Sequence, residues 1–223
     1  MGGAGMNTDS WSDLLADLLP GLALSLQLTA AMLAMGLPLG LLMAVGLSQK
    51  RKYVSVPTLA LVEIGRGIPA LVLLYMIYFG LPQAGMSLDA FLSAAVGLAI
   101  SFASYTSEVF RAGLAAVPHG QREAGHALGL PRTVIFLRVL LPQALKIIVP
   151  PLLGWAIIYF QATSLAFALA VPELMSRAYV LATTNFQYLN MLALAAGLYA
   201  AISIPLSLLS EHMNRRGSRT ATS

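Results

Sequence analysis

Charges in this chain are spaced so widely that five stretches carry none at all. Residues 18–49, 67–88, 90–107, 147–172 and 178–210 are free of Asp, Glu, Lys and Arg, over 32, 22, 18, 26 and 33 positions. A helix needs roughly 20 apolar residues to cross the hydrocarbon core of a bilayer. In lipid every backbone N–H and C=O must find its partner inside the segment, so helices are the expected form, and no strand-like alternation competes. The pattern predicts five spans near 21–47, 56–80, 89–116, 143–162 and 187–209. Only 10% of the 223 residues are charged and 58% are hydrophobic. A soluble domain so composed would expose large apolar patches. Lipid is therefore the expected surrounding of this all-α chain. The absence of cysteine excludes disulfides, thiolate metal sites and a Cys nucleophile.

Flanking charge orients the spans. Lys50, Arg51 and Lys52 follow the first, Arg111, Arg122, Arg132 and Arg138 surround the loop after the third, and Arg215, Arg216 and Arg219 follow the last. The positive-inside rule then places the N-terminus outside and the C-terminus in the cytoplasm, which an odd number of spans requires. The net charge of +4 belongs to these flanks. No basic stripe with interleaved aromatics occurs, which argues against nucleic acid. Residues 1–20 carry Asp9, Asp13 and Asp17 where a signal peptide would be basic. Trp11, Leu14, Leu15, Leu18 and Leu19 share one helical face, so this segment reads as an interfacial helix lying on the membrane, with a frayed acidic tail as the alternative. A transmembrane unit over 21–212 and a polar tail over 213–223 complete the expected organisation.

Within the spans, Glu63 with Arg66 and Glu108 with Arg111 stand three apart and can neutralise each other. They are either structural ion pairs near the cytoplasmic interface or charges facing a wet cavity. Gly36 and Gly40, and Ala193, Gly197 and Ala201, form small-residue stripes suited to close helix packing, within the chain or against a second subunit.

The stretch 117–142, VPHGQREAGHALGLPRTVIFLRVLLP, is too polar to cross the membrane. Residues 121–128 read as a short helix, Gly129 as its left-handed cap and Pro131 as the first turn of a following helix that Pro142 interrupts. Ala124, Gly125, Ala127 and Leu128 give this elbow a small, nearly flat surface that can dock in a groove of another protein. His119, Glu123 and His126 fall at i, i+4 and i+7 on one face. A metal site there lacks a further ligand, and ordinary histidines on a docking helix explain the pattern better.

These residues carry a resemblance. Glu123-Ala124-Gly125, three residues, Gly129, nine residues and Val139-Leu140-Leu141-Pro142 resemble the EAA loop of ABC importer permeases, with Gly125 and Val139 as mild departures. Arg66-Gly67-Ile68-Pro69, Tyr78-Phe79-Gly80-Leu81-Pro82, Glu108-Val109-Phe110-Arg111-Ala112-Gly113, Thr163-Ser164-Leu165 and Val171-Pro172-Glu173-Leu174 are similar to the polar amino acid uptake group of that family. The resemblance implies a type I importer permease fold in a bacterial inner membrane, with five spans, an N-terminal interfacial helix and a cytoplasmic coupling helix. It implies a second permease subunit, two cytoplasmic ATPases that hold the ATP and Mg2+, and an extracytoplasmic binding protein that delivers the amino acid. The chain lacks a Gly-x4-Gly-Lys-Ser/Thr phosphate loop, so its energy is expected from those partners. Gly120, Arg122, Glu123, Ala124, Gly125 and Gly129 become the expected coupling residues. Glu123 either only complements the helix N-terminal dipole or also pairs with a base on the ATPase.

The pathway the resemblance implies runs past Arg66, Ser104, Glu108, Trp155, Ala162, Thr163 and Ser164. Thr163 and Ser164 either bond the substrate or bond their own helix backbone. Permeases for cationic amino acids are similar to one another in carrying acids at the positions of Ala162 and Trp155. Their replacement here argues against a Lys or Arg substrate, since a buried cation without a partner is costly. A gradient-driven carrier is the rival reading; five spans without an internal repeat count against it.

Overall fold

A computed structural model describes residues 11–219, with side chains described from 13 to 215. Among the described residues nine helices follow one another: α1 Trp11–Leu47, α2 Lys52–Gly67, α3 Ala70–Tyr75, α4 Ala90–Ala115, α5 His119–Ala127, α6 Arg132–Val134, α7 Leu141–Ala162, α8 Leu174–Asn185 and α9 Tyr188–Arg219. Wider turns over Met76–Gly80 and Ile135–Leu140 extend α3 and join α6 to α7, and a tight 3-10 stretch covers Thr163–Leu169. No strand occurs among the described residues. Among the described residues four helical segments are long and apolar enough to cross a membrane: Asp13–Leu47, Ala90–Ala115, Arg132–Leu169 and Tyr188–Arg215.

The second expected span, over 56–80, departs from expectation. Instead of one helix over 56–80, α2 and the run Ala70–Ala84 meet at a bend of 105°. The cause is local. Pro69 donates no N–H, and its ring disfavours helical backbone in the residue before it. Ile68 is accordingly extended, with φ −87° and ψ 128°. The expected interfacial helix and first span, by contrast, form one continuous helix. At 37 residues, α1 is about 55 Å long, longer than the hydrocarbon core of roughly 30 Å. Its first turns leave Leu15 and Leu19 exposed but turn Leu14 and Leu18 inward, against Leu174, Ala178 and Ala182 of α8 and Met191 and Ala195 of α9. Apolar contact with the bundle thus satisfies the face read as membrane-lying. Residues 1–10 and 220–223 lie outside the described residues, and 213–219 continue α9.

α4 is the central element, packed by α1, α2, α3 and α7. Asp89 starts it as an N-cap, accepting from Leu92 N–H at 2.8 Å. Small residues set the α1–α4 distance. A Cβ on Gly36 would stand 2.8 Å from Phe102, and one on Gly40 2.6 Å from Thr106 Oγ1 and 3.1 Å from Ala103 O. This stripe therefore serves packing within the chain. The second stripe does not, since nothing lies within 4 Å of a Cβ on Gly197. The main core joins Leu28, Met32, Leu98, Phe102, Tyr159 and Leu169. A separate cluster at the elbow end joins Ala44, Phe110, Ile135, Leu140, Ala144 and Ile148. That second cluster fixes the elbow to the body of the bundle.

Candidate functional site

The elbow is built from α5, its cap and the arm that begins at α6. Helix α5 ends in a Schellman turn: Leu130 N–H donates to Gly125 O at 3.1 Å and Gly129 N–H to His126 O at 2.9 Å. Gly129 has φ +70°, a conformation that glycine adopts without a Cβ penalty. Pro131 sits one position before the first turn of α6, as its N-cap. Pro142 falls at the start of α7, directly after the wide turn Ile135–Leu140. A proline offers no N–H to the preceding turn, which accounts for the widening there. The Gln143 side-chain amide donates to Gln121 Oε1 at 3.3 Å and ties α7 back to α5.

The two sides of α5 differ. Gly125 is buried, and a Cβ on it would stand 2.8 Å from Ile135 Cγ1. Expected as part of the docking surface, Gly125 instead lets α5 close on its own arm. This also accounts for glycine where the family pattern has alanine: one more methyl would displace Ile135. Gly120, Glu123, Ala124, Ala127 and Leu128 are exposed, Leu128 by 77%. At 100° per residue, Gly120, Glu123, Ala124 and Ala127 lie together on the side away from Gly125. Glu123 is the fifth residue of α5 and makes no ion pair among the described residues. Arg122 lies off this crest, beside a cavity that it shares with His126. His119 lines a different cavity, so His119, Glu123 and His126 do not converge. No described group of three His, Asp or Glu side chains is placed to hold a metal.

The expected pathway residues divide into two sets. Arg66 and Trp155 meet at Tyr105, a residue that sequence reasoning missed. Trp155 stacks on the Tyr105 ring, centroids 4.5 Å apart. The Arg66 guanidinium lies 5.6 Å from the same ring, and Tyr105 O–H donates to Arg66 O at 3.1 Å. This is a cation–π contact on an aromatic ladder that continues to Tyr159. Arg66 also pairs with Glu63 at 3.6 Å, and Arg111 with Glu108 at 2.6 Å. Both pairs are partly exposed.

The hydroxyl residues are engaged elsewhere. Ser104 is buried, donates to Ile100 O at 2.9 Å, and faces Gly65 of α2 so closely that a Cβ there would overlap its Oγ. It packs α2 on α4. Thr163 Oγ1 donates to Phe160 O at 2.6 Å and Ser164 Oγ to Gln161 O at 2.8 Å. Both hydroxyls thus bond their own helix backbone, and Thr163 is fully buried. Ala162 and Trp155, two turns apart on α7, are half-buried.

Glu173 was quoted only as part of a motif, yet it is a fully buried acid. It caps α8, accepting from Met175 N–H and Ser176 N–H, each at 2.8 Å. It also accepts from Tyr199 O–H of α9 at 2.9 Å and Ser25 O–H of α1 at 3.3 Å. Burial raises its carboxyl above the ordinary range, although the four donors pull the other way. A charged residue immediately before a helix start was the available sequence signal.

Comparison with known proteins accords with this arrangement. Over 169 residues the chain is 33% identical to the "Probable amino-acid ABC transporter permease protein y4tG" of Sinorhizobium fredii, covering 76% of this chain and 73% of that one. It is 34% identical to the arginine transport system permease protein ArtQ of Bacillus subtilis, covering 68% and 69%. The crystal structure of an amino acid ABC transporter with histidines superposes with a TM-score of 0.83 at 29% identity, over 92% of this chain and 96% of that one. Residues 36–219 match the model of the binding-protein-dependent transport system inner membrane component, and the chain belongs to that family of ABC importer permeases.

Proposed function

We propose that this permease carries a polar, non-cationic amino acid or derivative inward, and that the exposed crest of α5 is where two cytoplasmic ATPases engage a pair of permease subunits. The crest carries the proposal. Gly120, Ala124 and Ala127 form a surface without bulk, held rigid by the cap at Gly129 and by Ile135 beneath Gly125. Such a surface suits a groove in another protein.

The mechanism follows from two states, each open to one side. A ligand shifts such an equilibrium only by its differential affinity for the states. ATP and Mg2+, bound between the ATPases, favour their closed dimer. The crest moves with them and the spans open outward, toward an extracytoplasmic binding protein loaded with substrate. A near-complete shift needs about 5 kcal/mol of differential binding, which two nucleotides can supply. The elbow-end cluster transmits the movement, because Ile135 and Leu140 of the arm pack with Ala44, Phe110 and Ile148 of α1, α4 and α7. The orientation is N-terminus outside and C-terminus in the cytoplasm, supported by the basic flanks. Hydrolysis belongs to the ATPases alone.

Cysteine-directed crosslinkers at Ala124 or Ala127 are expected to join this chain to an ATPase subunit. Adducts only with lipid or with its own spans would contradict the proposal. Selectivity is the second test. Ala162 lies two turns from Trp155 on α7, and an acid there would offer a cation its partner. Ala162→Asp is expected to raise competition by lysine or arginine about tenfold in an uptake assay; unchanged selectivity would exclude a substrate contact at this position.

A further inference from the structure

The elbow encloses a cavity that the docking crest does not use. It has a volume of about 350 Å3 and is lined by Arg122, His126, Arg132, Ile135, Phe136 and Leu140. Two arginines and a histidine thus line one half-open cavity together with four-carbon and aromatic side chains, of which Ile135 and Leu140 are buried. None of the three has an ion-pair partner among the described residues. The nearest acid in sequence, Glu123, does not line the cavity.

We infer that this cavity binds the phosphate headgroup of an anionic phospholipid from the leaflet on the elbow side. Arginine side chains match phosphate oxygens with paired, charge-assisted hydrogen bonds. Buried Ile135 and Leu140 give the cavity an apolar side against which such bonds are less screened than in open water. Geometry separates this site from the ATPase surface. Arg122 and His126 are four residues apart on one flank of α5, whereas Gly120, Ala124 and Ala127 occupy the other side. The arm supplies the second half of an amphiphile site. Phe136 and Leu137 are 42% and 53% exposed, on a segment that begins the apolar span Arg132–Leu169. At the membrane end of the elbow arm such side chains would meet acyl chains, and Phe136 is shared between that surface and the cavity. Basic pockets at the cytoplasmic ends of spans recognise anionic headgroups by this combination.

The proposed orientation enters only in naming the leaflet; the site can be read on the purified full-length chain, whether or not the transport reading holds. Native mass spectrometry in nonionic detergent, titrated with dioleoylphosphatidylglycerol, is expected to show a retained lipid adduct that dioleoylphosphatidylcholine does not match. Arg132→Gln is expected to weaken the adduct about fivefold, the share of one cation. Arg138→Gln, which removes a charge from the same arm outside the cavity, is expected to change it less than twofold. Equal losses in the two variants would mean diffuse attraction and overturn the site. Equal retention of both lipids would overturn it as well. So would inorganic phosphate binding as tightly as the lipid, which would leave an anion site with no role for acyl chains.

Discussion

Gly129→Ala is expected to cut ATP-driven uptake about tenfold while the chain still inserts into the membrane in normal amount. The reason is backbone strain. Gly129 stands at φ +70°, and nothing lies within 4 Å of an added Cβ. Space is available, so the cost is conformational, about 1–2 kcal/mol for an L-residue in that region. It falls on the two hydrogen bonds that close α5, from Leu130 to Gly125 and from Gly129 to His126. A loss of about 1.4 kcal/mol lowers the ratio of docking-competent to open elbow tenfold, and uptake follows that ratio where the two forms are near balance. Asparagine tolerates the same conformation better, so Gly129→Asn is expected to recover much of the rate. Equal uptake by the alanine variant and the parent protein would remove the elbow cap from the mechanism.

The largest effect on stability is expected at Glu173. Glu173→Ala strips a cap from α8 and leaves Tyr199 O–H and Ser25 O–H without their shared acceptor. Loss of the cap and of buried partners together amounts to about 3 kcal/mol, or roughly 10 °C in the melting midpoint for a chain of this size. Glu173→Gln keeps one carbonyl acceptor and is expected to lose about half as much. The pH dependence has a definite sign. The folded carboxyl titrates above its ordinary 4.5, so the folded state holds its proton more tightly than the unfolded chain. The associated stability is complete below 4.5 and is lost as pH rises through the elevated folded value. The advantage of the parent protein over Glu173→Gln should therefore shrink as pH rises through that window. Growth of the advantage with pH would mean that the four donors outweigh burial.

Much of this was legible in the sequence, because lipid imposes few rules and states them in charge spacing. Gaps between charged residues located α1, α4, α7 and α9. Gly129 announced its turn by position alone. What failed were inferences that need a third dimension. Pro69 was visible, but whether a proline kinks a span or breaks it depends on what packs around it. Gly125 was assigned to the outer surface because its neighbours are small; only the position of Ile135 shows that it faces inward. Tyr105 and Glu173 act through residues 26 to 148 positions distant along the chain, which no local pattern encodes.

The most direct test is solute uptake into sealed vesicles that contain this permease, its partner subunit and the binding protein, with and without the ATPase subunits. Uptake is expected only when ATPases, Mg2+ and ATP are all present, and it should vanish when the crest of α5 is blocked by a bulky adduct at Ala124. Sustained uptake from vesicles that lack the ATPases would contradict the account, because the spans would then open without the force the elbow is built to receive.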